Sequence, residues 1–154
     1  MSEPTENPYL RDAVLTATPE QLQLMLYDGA IRYGRQARDA LLAKDYETSY
    51  DRLTRAQNII AEMQVGLNHE ANPALCAQVA SVYGFLFRKF LDANVKHDVQ
   101  AVDDALKVLC IERETWRIVV DKVSKVRQTQ MSDSKDDADP DDEQMATSGF
   151  SVEG

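Results

Sequence analysis

The chain has 154 residues, 44% of them hydrophobic and 28% charged, with a net charge of −9. That length suits one domain with a core of its own, needing neither disulfides nor metal. The charge is lopsided: from Arg127 to Gly154 eight acidic residues face two basic ones, so this stretch carries −6 and the remainder only −3, which excludes the overall basic footprint of a nucleic-acid or anionic-membrane binder.

Met1 to Asn7 is polar, with two glutamates and no basic residue ahead of an apolar stretch, which is not the pattern of a signal peptide. No uninterrupted apolar run approaches the roughly 18 residues that span a bilayer. A soluble, cytoplasmic protein without membrane insertion is expected. Cys76 and Cys110, each flanked by apolar residues, are expected to be small buried hydrophobes in a reducing compartment rather than a disulfide.

The first predicted helix opens at Thr18-Pro19-Glu20-Gln21. Thr18 accepts from the backbone three residues on, proline needs no N–H there, and Gln21 reaches back to complete a capping box. Leu22, Met25, Leu26, Gly29, Tyr33, Ala37 and Leu41 then follow a helical period to about Lys44. Asp45 caps a second helix, apolar at Tyr46, Tyr50, Leu53, Ala56, Ile60, Met63 and Leu67 and charged on its other face, ending near Asn68-His69. Asn72-Pro73 repeats the cap-then-proline signature and starts a third helix through Leu75, Val79, Val82, Leu86, Phe90 and Ala93 to Lys96-His97. Asp98 caps a fourth, with Val102, Leu106, Leu109, Trp116, Val120 and Val123 as its stripe, interrupted by Arg113. Periodicity fades after Val126, and Ser132 to Gly154, rich in Asp, Ser, Gly and Pro, reads as disordered.

Four long helices joined by short connections must run antiparallel to their sequential neighbours. The expected fold is therefore all-α: an antiparallel up-down-up-down four-helix bundle over 18–126. A short N-terminal segment, 1–17, would partly cap the bundle, and a disordered acidic C-terminal tail would cover 127–154.

Catalysis finds no support. A di-iron bundle needs Glu-x-x-His pairs, and the residues three before His69 and His97 are Gly66 and Asn94. Both histidines fall at predicted helix ends, which disfavours a phosphorelay. There is no glycine-rich phosphate loop, no Gly-x-Ser-x-Gly and no Cys-x-x-Cys. No cofactor, no metal and no enzyme activity are expected. What stands out is apolar surplus: Leu22, Leu24, Met25, Leu26 and Tyr27 on the first helix, and Phe85, Phe87 and Leu91 beyond the stripe of the third. Ordinary core packing explains most of it, yet broad apolar strips between helices also accept a partner helix.

The residues also resemble a known family. Asn7-Pro8-Tyr9, then Thr16-Ala17-Thr18-Pro19-Glu20-Gln21-Leu22 and Met25 to Ala30, look like the start of the flagellar secretion chaperone FliS. Arg55 to Met63, Tyr83 to Asp98 and Trp116 continue the likeness at matching spacing, from Asn7 to about Val126. The resemblance implies a flagellum-assembly chaperone that binds the disordered C-terminal segment of flagellin, prevents premature polymerisation and works with a component of the type III export gate. It implies partner-binding roles for Tyr9 and Leu10 in the N-terminal strip. The same holds for Leu22, Met25, Leu26 and Ile31 on the first helix, Ile59 and Met63 on the second, and Tyr83, Phe87 and Phe90 on the third. Phe87 stands where the family often has tyrosine, and the acidic tail is not a general family feature. A monomer or weak homodimer is expected. The alternatives are a helical adaptor for another export-system protein and, on the chemistry, a phosphotransfer bundle.

Overall fold

The computed structural model describes residues 8–67 and 72–136, with Pro8, Leu10 and Asp136 described by backbone alone. The elements are α1 Pro8–Thr16, α2 Pro19–Leu42, α3 Tyr46–Val65, α4 Pro73–Lys96 and α5 Val99–Asp136, with no strand among the described residues. The chain parts into two units, Met1–Ile118 and Val119–Gly154, the division falling inside α5.

Each long helix starts where its cap predicts. Thr18 Oγ1 accepts from the Gln21 backbone N–H at 3.2 Å, while Gln21 Oε1 accepts from the Thr18 N–H at 3.0 Å. Asp45 accepts from Thr48 at 3.2 Å, Asn72 from Leu75 at 3.1 Å and Asp98 from Ala101 at 3.3 Å. These bonds occupy N–H groups that the first turn leaves orphaned. The one at Asp45 holds its carboxyl below the usual carboxylate range.

In the first unit α2, α3, α4 and the proximal part of α5 form the antiparallel bundle. Tyr33 of α2 lies under Arg55 of α3, and a Cβ on Gly29 would meet Ile59 at 3.2 Å. Asp28 and Arg38 of α2 pair with Arg113 and Asp103 of α5, so partners descend on α5 as they ascend on α2. Lys89 of α4 reaches Asp104 of α5 at 3.2 Å. The core is apolar and closed: Tyr27, Leu53, Ile60, Tyr83, Leu86, Phe90, Val102 and Leu109 are wholly buried. Gly34 permits the tightest approach, because a Cβ there would stand 2.8 Å from Leu106 Cδ2. Arg113, which interrupts the stripe of α5, is explained by its ion pair with Asp28.

The structure departs from expectation in three places. Residues 8–16 form a helix, because Asn7-Pro8 repeats the signature of Asn72-Pro73 and proline suits a first helical turn. Among the described side chains of that helix, Tyr9 and every residue from Arg11 to Thr16 are exposed. Helix α5 runs on to Asp136 through residues expected to be disordered, since no glycine or proline intervenes between Val99 and Pro140. Cys110 is exposed, not buried, whereas Cys76 is buried as expected, and both are thiols. The expected end of the second helix at Asn68-His69 and the tail beyond Asp136 lie outside the described residues.

Helix α4 is long and apolar enough, by length and composition, to cross a membrane, although only 22% of its most apolar window is buried. It places Tyr83, Leu86, Phe90 and Ala93 in the bundle core and carries Arg88 and Lys89 at mid-length. The N-terminal part of that same core-facing stripe lines the site below.

Candidate functional site

At the end of the bundle where α2 begins, α3 finishes and α4 begins, side chains leave a groove of about 340 Å³. Pro19, Glu20 and Gln23 come from the first turns of α2, and Met63, Gly66 and Leu67 from the end of α3. Asn72, Leu75, Cys76, Val79 and Tyr83 come from α4, and Trp116 from α5. The four-residue spacing of Leu75, Val79 and Tyr83 puts one face of α4 along the groove. Leu75 remains 54% exposed at its mouth.

The floor carries a short chain of hydrogen-bonded polar groups. Gln23 Nε2 donates to the Tyr83 hydroxyl at 2.6 Å, and the Tyr83 and Tyr27 hydroxyls share a hydrogen bond at 3.1 Å. Burial pushes both phenols up from their ordinary value. For Tyr27 the bond to Tyr83 adds to this, while one with Trp116 works the other way. For Tyr83 its two hydrogen bonds oppose the rise. Both hydroxyls are therefore neutral, bonded groups that fix rings, not acids or bases poised for chemistry.

Of the residues expected to bind a partner, the groove brings together Met63 and Tyr83. Ile31 and Phe90 are buried in the core. Leu26, Ile59 and Phe87 are half-buried and packed against that core, and Leu22 and Met25 are half-buried on α2. Tyr9 is 83% exposed on α1, and the Leu10 side chain lies outside the described residues. Leu67, Leu75, Val79 and Trp116 line the groove without having been expected there. Their signal was ambiguous, because a core stripe and a groove stripe share one helical period.

A second cleft, about 560 Å³, lies between α2 and α5 and is lined by Asp28, Ile31, Arg32, Arg35, Gln36, Asp39, Cys110 and Arg113. Asp28 raises the Arg113 guanidinium further above its already high value. Among the described residues no cluster of three or more His, Cys, Asp or Glu could hold a metal ion.

Comparison with known proteins agrees with this architecture. The family model described as flagellar protein FliS matches residues 1–123. The flagellar secretion chaperone FliS of Bacillus subtilis is 33% identical over 125 residues, covering 79% of this chain and 92% of that protein. That of Salmonella typhimurium is 31% identical over 116 residues, covering 75% and 86%. A solved structure titled a flagellar chaperone from bacteria superposes with a TM-score of 0.65 at 17% identity, covering 77% of this chain and 99% of that one, which shows the shared fold. With its capped helices, antiparallel bundle and matched length, the chain belongs to the FliS family of flagellar secretion chaperones.

Proposed function

We propose that the chain is a cytoplasmic, non-enzymatic export chaperone that holds the disordered C-terminal segment of flagellin and presents it to a component of the flagellar export gate. The observation that supports this reading best is the open apolar groove of Met63, Leu67, Leu75, Val79, Tyr83 and Trp116 at one end of the bundle. Such a strip accepts the apolar face of an amphipathic helix. The half-buried Leu22, Met25, Leu26, Ile59 and Phe87 extend the apolar surface available to a long ligand.

A disordered ligand loses conformational entropy as it orders. At about 25 cal/mol per Å², roughly 1,500 Å² of apolar burial yields gross tens of kcal/mol, most of it offset by that ordering and by association. Affinity therefore rests on many modest contacts. The test is calorimetric titration of the purified chain with the isolated C-terminal segment of flagellin. A one-to-one complex with a large negative heat-capacity change is expected. No heat and no complex at micromolar concentrations would rule the reading out.

A further inference from the structure

Gln23 brings a hydrogen-bonding group into a groove lined mostly by apolar side chains. It stands half-buried on α2, and it lines the groove together with Met63, Val79, Tyr83 and Trp116. Its Nε2 donates to the Tyr83 hydroxyl at 2.6 Å, and among the described residues this is the one hydrogen bond that Gln23 makes. A primary amide carries two N–H donors and one carbonyl acceptor. One N–H is used on Tyr83, so the second N–H and Oε1 are left. Turning the amide over would set Oε1 against the Tyr83 hydroxyl and leave both N–H groups unused. In either orientation an N–H of Gln23 is unbonded at the groove.

The neighbouring polar side chains are engaged elsewhere. Asn72 Oδ1 accepts from the Leu75 N–H at the exposed rim. The Tyr83 hydroxyl is held between Gln23 and Tyr27. Glu20 has a partner of its own. Facing solvent, the free N–H of Gln23 is hydrated. An apolar segment laid along the groove strips that water, and a donor left unpaired under it is costly. Gln23 therefore penalises a uniformly apolar ligand and favours one that brings an acceptor. Glu20 stands three residues earlier on the same helix face and repels a ligand carboxylate. The acceptor that fits is a neutral carbonyl oxygen. A helix offers one in its last turn, where four carbonyls lack internal partners. Asparagine and glutamine offer one on the side chain.

We infer that Gln23 is a specificity-determining residue of the groove: its free N–H donates to a neutral carbonyl oxygen of the bound segment, beside an apolar side chain seated among Met63, Val79 and Trp116. This rests on the groove holding the C-terminal segment of flagellin. It adds what that segment must present, a carbonyl that its own helix does not use.

The test titrates the full chain calorimetrically with that segment, as the parent, Gln23→Met and Gln23→Glu, each shown to be folded by denaturant unfolding. Methionine keeps the length and loses the N–H groups, and binding should weaken roughly five- to thirtyfold. Glutamate keeps the shape and an acceptor but has no donor, and should bind no better than Gln23→Met. Binding by Gln23→Glu as tight as that of the parent would mean that the ligand donates, which overturns the proposal. A role exerted only through the Tyr83 ring is separated in a Tyr83→Phe background. Gln23→Met should still weaken binding there by a similar factor, and no further loss would overturn the direct contact. In the parent chain the Gln23 side-chain amide, assigned by its loss in Gln23→Met, should show one proton moving downfield on binding; an unmoved amide also overturns the contact. Replacing the asparagines and glutamines of the segment by leucine tells the two carbonyl sources apart: the Gln23→Met effect persists for a main-chain carbonyl and vanishes for a side-chain one. No complex with the parent chain defeats the groove reading and this contact together, whereas equal binding by parent and Gln23→Met defeats the contact alone.

Discussion

The two ends of the bundle are built differently. Where α2 passes to α3 and α4 to α5, the chain turns within two or three residues. Lys44 and His97 adopt left-handed backbone at φ 57 and 51, and Tyr46 and His97 stack with ring centroids 3.8 Å apart. Short-range chemistry seals that end. At the other end the helices are capped just as well, at Thr18 and Asn72, but Leu67, Leu75, Val79 and Trp116 are left facing a groove. Caps decide where helices start. They do not decide whether the space between helices is filled, and the end left unfilled is the one suited to a partner.

Substitutions on either side of this contrast should separate stability from binding. The largest effect belongs to the shared core: Phe90→Ala, at a wholly buried site, should cost about 3–5 kcal/mol in denaturant unfolding. Filling the tightest helix approach with Gly34→Val, whose Cβ would meet Leu106 at 2.8 Å, should cost about 1–3 kcal/mol by overpacking, read as a lower melting temperature. Alkali probes the groove floor. Tyr27 and Tyr83 are held protonated in the folded chain. Their stabilising contribution is full below the ordinary phenol value of about 10 and is lost as pH rises past it, because the unfolded chain releases those protons first. The stability of the parent chain should fall by up to about 1.4 kcal/mol per pH unit per tyrosine in that range, and Tyr27→Phe should flatten the slope. The smallest change is at the sealed end: Tyr46→Ala should lose about 0.5–1.5 kcal/mol with the ring stack and leave flagellin binding unaltered.

Most of the bundle was legible in the sequence because its start signals are local. Thr18, Asp45, Asn72 and Asp98 each make the capping bond that their neighbours predict. Asn7-Pro8 carries the same start signal for α1 as Asn72-Pro73 does for α4, but the short run that follows it holds too few apolar residues to show a helical period. The end of α5 was missed because fading periodicity says that a helix has lost its partners, not that it has stopped. The site was the least legible part. Ile31 and Phe90 share the period and composition of groove residues yet are buried in the core, whereas Leu75 and Val79 look like core residues and line the groove. Which side of a helix meets a neighbour and which meets a gap depends on the positions of three other helices. The Arg113–Asp28 pair shows the same limit, as residues 85 apart in sequence explain one another only in three dimensions.

The most direct test of the groove is Leu75→Asp. This side chain is 54% exposed at the mouth, so the change should leave helicity intact and move unfolding by no more than about 0.5 kcal/mol. Titrated calorimetrically with the C-terminal segment of flagellin, the variant should bind about tenfold or more weakly than the parent chain, a loss of about 1.4 kcal/mol. Equal affinity in a variant shown to be folded would contradict the account.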